Sequence, residues 1–118
     1  MYKMGGIGMS HYFKFIKLEK GYQFVLIPNN NHGQPMGYSR VYDTYLLCNK
    51  ALLEFRAFVR EHMAENNKIV DKCNQNKYEY KIIDNEGKIM FYNRNYETKA
   101  NAKKSMESVI KRINVPLK

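Results

Sequence analysis

Tryptophan is absent from the 118 residues, cysteine occurs twice, and 11 acidic side chains stand against 20 lysines and arginines. Each shortage excludes something. Cys48 and Cys73 form no Cys-x-x-Cys pair, and a chain of this length has core enough to fold without a disulfide, so a reducing cytoplasm is the expected setting. Nowhere do about 18 apolar residues follow one another, so no segment reads as a membrane-spanning helix. The N-terminal MYKMGGIGMS, with Gly5, Gly6 and Gly8, contains no apolar run of signal-peptide length. It reads as a loose lead-in, residues 1–10, to a soluble protein with no membrane association.

The chemistry-bearing patterns are equally sparse. His11, His32 and His62 are scattered, with no Cys or carboxylate at metal-ligand spacing, so no metal is expected. No glycine-rich loop runs from a strand into a helix with a following Lys-Ser/Thr, since GGIG precedes the first extended run. No Ser or Cys joins His and Asp in a nucleophile motif, and Cys48, on an apolar helical face, reads as a small core residue. The expectation is a protein that is not an enzyme, with no catalytic residue and no cofactor.

The shortage of acid leaves a formal net charge of +9 and a pI near 9.5, which favours encounters with polyanions. Residues 1–62 carry 8 basic and 4 acidic side chains and residues 63–118 carry 12 and 7, giving +4 and +5. The excess is diffuse rather than a basic tail. Hydrophobic residues at 44% and charged residues at 26% are ordinary for a folded domain, and the length fits a single domain over 1–118.

What the chain has in plenty is tyrosine, ten in all, and part of it is ordered. MGYSRVYDT (36–44) recurs as MFYNRNYET (90–98), with Met, Tyr, Arg, Tyr and Thr at every odd position. Gly33 meets Gly87, Asp43 meets Glu97 and Lys50 meets Lys104 at the same offset of 54 residues, since 90 minus 36 is 54. Upstream, YQFVLI (22–27) aligns with YEYKII (78–83) at an offset of 56, the two extra residues falling in the PNNNHG turn. Insertion in a loop is what a duplicated unit tolerates.

Both halves, about 11–63 and 68–118, read alike. YFKFIKL (12–18) or KIVDKC (68–73) leads through a polar turn to a second run of period-2 apolarity, which predicts a hairpin. An Asn/Gly turn then introduces the repeated row as a third strand. After Thr44 and Thr98, each a good N-cap, the period becomes helical. Leu47, Cys48, Ala51, Leu52, Phe55, Phe58 and Val59 form one apolar face; Ala102, Met106, Val109, Ile110 and Ile113 form the other. The polar AENNK (64–68) joins the halves and Pro116 closes the second helical region. Because about 55 residues bury too little surface alone, the halves are expected to share a core. The predicted fold is α+β: a tandem β-β-β-α repeat forming one largely antiparallel sheet with two helices packed on it.

Two groups of residues are candidates for binding. The odd face of the repeated row suits a stacking platform for exposed bases, with Arg40 and Arg94 beside tyrosines. The even positions look like the solvent side, so the odd face is expected instead to pack beneath the helices, the guanidinium groups reaching the edge. On the second helix Lys104 and Lys111 share a flank opposite the apolar stripe, with Arg112 nearby and Lys99 and Lys103 near the first turns. These seven cations are the candidate polyanion contacts, a solvated face being the simpler account of the helical ones.

The segment KYEYKIIDNEGKIMFYNRNYETKANAKKSMESVIKRI (77–113) resembles the YegP-like family, also written UPF0339. The resemblance rests on Lys77, Tyr78, Tyr80, Asn85, Gly87, Ile89, Tyr96, Thr98, Lys99, Ala100, Ser108 and Val109, with Tyr22, Phe24, Gly33, Tyr42 and Thr44 retained in the first half. Ser105 stands where the family usually has Gly, and Tyr45-Leu46 where it usually has Lys-Ala. The resemblance implies a tandem β-β-β-α-(β) repeat on one sheet, with INVPLK (113–118) as a short terminal strand. It also implies that no activity is established. The expectation is an uncharacterised interaction protein with an unknown macromolecular partner, a monomer with a dimer as the alternative, or else a nucleic-acid-binding protein using the basic flank of the C-terminal helix.

Overall fold

The structure, a computed structural model, describes residues 11–28 and 34–118. The lead-in 1–10 and the turn residues Asn30, Asn31, His32 and Gly33 lie outside the described residues.

Strands β1 (Tyr12–Leu18) and β2 (Gly21–Ile27) form the first hairpin, and β3 (Gly37–Tyr38) follows. Helix α1 (Tyr45–Glu61) and a single 3-10 turn (Glu65–Asn67) lead to β4 (Lys68–Asn74), β5 (Lys77–Ile83) and β6 (Ile89–Tyr96). Helix α2 (Lys99–Lys111) comes last. The six strands make one sheet in the order β1-β2-β3-β6-β5-β4, every neighbouring pair antiparallel. The predicted α+β class and the β-β-β-α order of each half are present. The halves meet at the centre of the sheet through one residue pair, Tyr38 opposite Tyr92. These positions correspond in the repeated row, so each half presents the same point to the other, as a two-fold relation requires.

Both helices start as their sequences dictate. Thr44 Oγ1 accepts the Leu47 N–H at 3.1 Å and Thr98 Oγ1 accepts the Asn101 N–H at 3.0 Å, each threonine in extended backbone geometry. The join between the halves is also held: buried Asn67 donates to the Ile83 carbonyl at 2.9 Å and accepts from Ala64 N–H at 2.9 Å.

The core lies on one side of the sheet. Phe24, Phe55 and Phe91 contact one another at ring separations of 5.1 to 5.8 Å, and Phe13 meets Phe24 edge-on at 6.1 Å. Leu26, Leu52, Tyr80, Ile82, Met106 and Val109 belong to the same cluster. Fully burying each such side chain stabilises by about 1.5–3 kcal/mol. Since Phe55 belongs to α1, Met106 and Val109 to α2, and the ring cluster spans β2 and β6, both helices cover the same face. Gly37 is required there. A Cβ at this position would run into the Tyr80 hydroxyl and the Phe91 ring.

Three expectations are corrected. The third strand of the first half is two residues long rather than nine, because Ser39 turns inward. Its hydroxyl accepts the Phe24 N–H at 2.9 Å and donates to the Arg40 carbonyl at 2.7 Å, leaving one isolated bridge, Tyr22 to Tyr42, beyond it. The row also does not present one face. Gly37, Ser39 and Phe91, at even positions of the row, are buried, while Tyr38 and Tyr92, at its third position, point to the side away from the helices. The cause is a change of side along the row: register shifts against β5 flank residues 91–93, and Asn95 adopts φ 74°. After that bulge Tyr96 returns to the core side, where its hydroxyl lies 2.7 Å from Ser105 Oγ. Ser105 thus has a partner. Lastly, Leu47 is not part of the buried face of α1, being 47% exposed.

The terminal INVPLK forms no full strand. Phe13 N–H donates to the Pro116 carbonyl and Lys118 N–H to the Phe13 carbonyl, both at 2.8 Å, a single parallel bridge that covers the free edge of β1. At the opposite edge, β4 exposes Asp71 and Lys72, charges that discourage pairing with another strand.

Candidate functional site

The architecture creates three surfaces on which the candidate residues fall. The first is the face of the sheet that no helix covers among the described residues. In antiparallel pairs, residues directly opposite share a face. The pairings Lys14–Val25, Val25–Tyr38, Tyr38–Tyr92, Tyr92–Lys81 and Lys81–Ile69 therefore make one continuous row across all six strands. At its middle the Tyr38 and Tyr92 rings lie 5.9 Å apart at 32°. The Arg94 guanidinium covers the Tyr92 ring at 5.2 Å, and its Nε is 3.8 Å from Glu79 Oε1. The other Glu79 oxygen is 3.5 Å from Lys81 Nζ. A shallow depression of about 330 Å³ opens here, lined by Gln23, Tyr38, Tyr92, Arg94 and Asn95.

The second surface lies between α1 and the β5–β6 turn, a cleft of about 270 Å³. Arg40 lines it and sits 5.6 Å from the Tyr42 ring, with Lys50, Glu54, Asp84 and Lys88 around it. Cations and carboxylates alternate, so it favours neither sign of ligand. Asp84 is engaged with its own turn, accepting from the Glu86 and Lys88 N–H groups at 2.8 and 2.9 Å. Arg40 and Arg94 thus line different cavities.

The third surface is the outer side of α2. Lys99, Lys103, Lys104 and Lys111 are all exposed there. Arg112 is more confined: its Nη1 donates to Ser108 Oγ at 2.8 Å and to the Ser108 carbonyl at 3.3 Å. The seven predicted contact residues are therefore divided among three places.

Residues absent from the sequence-based candidates also matter. Among the described residues, the exposed large hydrophobics are Val41, Tyr45, Leu46, Leu47 and Leu53, all on α1 or its lead-in, with Leu46 at 76% and Leu53 at 55% exposure. The signal was readable: α1 carries Leu46, Leu47, Leu52 and Leu53, more leucine than one buried stripe can hold. Lys14 and Lys81 became visible only through strand register.

Three tyrosines and one cysteine are shifted chiefly by burial, which disfavours their charged forms. Burial pushes the Cys48 thiol up to about 11, so it is inert. Burial raises Tyr80 well above its ordinary value, and Tyr96 is raised by burial against the opposing hydrogen bonds from Ser105 and Asn93. Burial likewise raises Tyr42, against the pull of the Arg40 charge. Among the described residues no group of three His, Cys, Asp or Glu side chains could hold a metal ion. Among the described residues no helix is long and apolar enough to cross a membrane.

A six-stranded antiparallel sheet in this order, with two helices on one face, defines a known α+β class. The chain superposes on the solution structure of YegP, a protein of unknown function from E. coli, with a TM-score of 0.76 and 17% identity over 96% of this chain and 95% of that one. It likewise superposes on the UPF0339 protein SO3888 from Shewanella oneidensis, with a TM-score of 0.74 and 15% identity over 92% and 91% of the two chains. The chain therefore has the fold that its resemblance to the YegP-like family implies. Neither neighbour points to an enzymatic family. No described protein family and no curated protein matches the chain by sequence.

Proposed function

We propose that this chain is a non-enzymatic interaction protein that binds another protein through the outer face of α1. The observation that carries the reading is the gathering of exposed large hydrophobics on 41–53, with Leu46 and Leu53 two turns apart on one side of the helix. Large apolar side chains gathered on one exposed helix face are a feature of surfaces that meet a partner. Leu46 and Leu53 have the i, i+7 spacing of an amphipathic helix entering an apolar groove. Lys50, exposed between them, favours a groove with an acidic rim. The two free thiols, Cys48 and Cys73, suit a cytoplasmic setting.

The test is cross-linking from Asn49, identification of the captured protein, and titration of that protein in purified form. A Leu46→Glu/Leu53→Glu variant should bind it at least tenfold more weakly with an unchanged thermal midpoint, because neither side chain belongs to the core. Equal binding by the variant, or none by the parent, would reject the reading.

A second reading, nucleic-acid contact through α2, is favoured by one observation. Lys99, Lys103, Lys104 and Lys111 are exposed, and none has an ion-pair partner among the described residues. Such contact should weaken steeply between about 50 and 200 mM salt in a gel-shift titration.

A further inference from the structure

We infer that the helix-free face of the sheet is a platform for single-stranded nucleic acid, with bases stacking at Tyr38 and Tyr92 and phosphates met by Lys14, Lys81 and Arg94. The site differs from both surfaces just proposed: it lies across the sheet from α1 and α2.

Three observations converge on this occupant. The two tyrosines are adjacent at the centre of the face, their rings 5.9 Å apart, and the residues behind them, Phe91 and Gly37, are locked in the core. The platform is therefore rigid: Tyr92 cannot retreat into the sheet because Phe91 anchors the strand from the other side. Next, cations flank the rings. Lys81 is the direct cross-strand neighbour of Tyr92, and Lys14 lies beyond Val25 on the far side of Tyr38. The Arg94 guanidinium rests on the Tyr92 ring in the free protein and would swing off it to meet a phosphate when a base stacks there. Glu79 contacts both Lys81 and Arg94, and Asp71 stands opposite Glu79 on β4, so the carboxylates collect on the β4–β5 side. Lys14, exposed beyond the buried Val25 and without an ion-pair partner among the described residues, is the flanking cation left for a phosphate.

The third observation is negative in sign. This face contributes none of the large exposed hydrophobics among the described residues, which all lie at 41–53. An apolar protein partner has its surface on α1; the sheet face offers half-buried rings and charge instead. A duplex is disfavoured because its bases are already stacked and present no free π-face, whereas single strands stack on aromatic side chains with little regard to sequence. The depression of about 330 Å³ beside the rings, rimmed by Gln23 and Asn95, gives an unstacked base somewhere to lie.

The absence of tryptophan makes the measurement direct, because tyrosine emission is free of indole background. Labelled 12-mer oligo(dT), oligo(U) and a 12-base-pair duplex are titrated at about 50 mM salt, reading anisotropy and tyrosine quenching. Single strands should bind more tightly than the duplex, with quenching. Tyr38→Leu and Tyr92→Leu should each weaken binding by about 5- to 150-fold, the range observed for loss of a base–aromatic stack. Tyr38→Phe should retain it. Lys14→Gln/Lys81→Gln, a pair of surface changes that leave the core intact, should weaken binding and reduce its salt slope. Leu46→Glu/Leu53→Glu should leave it unchanged. The inference is overturned by no binding at low salt, by a preference for duplex, or by binding that folded Tyr38→Leu and Tyr92→Leu variants retain. It is equally overturned if only substitutions of the α2 lysines abolish binding, or if the tyrosine variants lose a protein ligand instead.

Discussion

Tyr80 shows how one hydroxyl both joins and constrains the halves. It is fully buried, and its hydroxyl donates to the Met36 carbonyl at 2.6 Å, tying β5 to the entrance of β3 across 44 residues of sequence. Burial holds the phenol neutral, raising its pKa well above 10.0, and Tyr96 beside it is raised in the same sense. A group whose folded pKa lies above its unfolded value contributes stability that is complete below the unfolded pKa and lost as pH rises through the folded one. The tyrosine contribution to stability should therefore be level through neutrality and fall above about pH 10, the ordinary tyrosine value. Tyr80→Phe should flatten that alkaline decline while costing about 0.5–1.5 kcal/mol near neutrality for the lost hydrogen bond. Urea midpoints of both proteins across the alkaline range check the two effects together. An identical decline in the variant would assign the loss to other groups.

At the scale of elements, the spans of β1, β2, β4 and β5 and both helix starts were legible, because period-2 apolarity and Thr caps are local properties. The side to which the repeated row faces was not. Alternation predicts a side only while the strand is unbroken, and Met-Tyr-Arg-Tyr-Thr keeps its spacing through the bulge at Asn95 and the inward turn at Ser39. Asparagine accepts positive φ, but many asparagines do not use it, so residue type alone does not announce a bulge. The candidate site was legible in part: Tyr and Arg together pointed to stacking, yet the partners Lys14 and Lys81 come from strands that only register brings alongside. The bulge itself is testable. At φ 74°, Asn95→Gly should be neutral or stabilising, whereas Asn95→Val should cost about 1–2 kcal/mol, the penalty of a branched side chain in left-handed backbone. Thermal or urea denaturation gives both values. If valine is tolerated, the kink that returns Tyr96 to Ser105 must survive without the left-handed residue.

For the whole molecule, the decisive fact is how little backbone holds the halves together and how much side chain does. Across the central seam β3 and β6 share one residue pair, supplemented by the Tyr80 and Asn93 side chains donating to the Met36 carbonyl at 2.6 and 3.2 Å. The ring cluster is different: Phe24 and Phe55 from the first half enclose Phe91 from the second, at 5.8 and 5.1 Å. The basic charge of both halves adds repulsion rather than cohesion, so the apolar contact has to carry the join. It follows that the halves should not be separable folding units. Peptides 11–63 and 68–118 should each be largely unfolded in isolation, since about 55 residues bury too little surface, and the full chain should unfold in one transition. Phe91→Ala should lower stability by about 3–5 kcal/mol and do so for both halves at once, because the cavity opens under Phe24 and Phe55 as well as under its own strand. Far-UV and near-UV circular dichroism, together with amide exchange at Leu52 in α1 and Val109 in α2, report on the two halves separately. Coincident midpoints, shifted equally by the substitution, are expected. If Val109 lost protection while Leu52 kept it, the shared phenylalanine cluster would not be what couples the two halves.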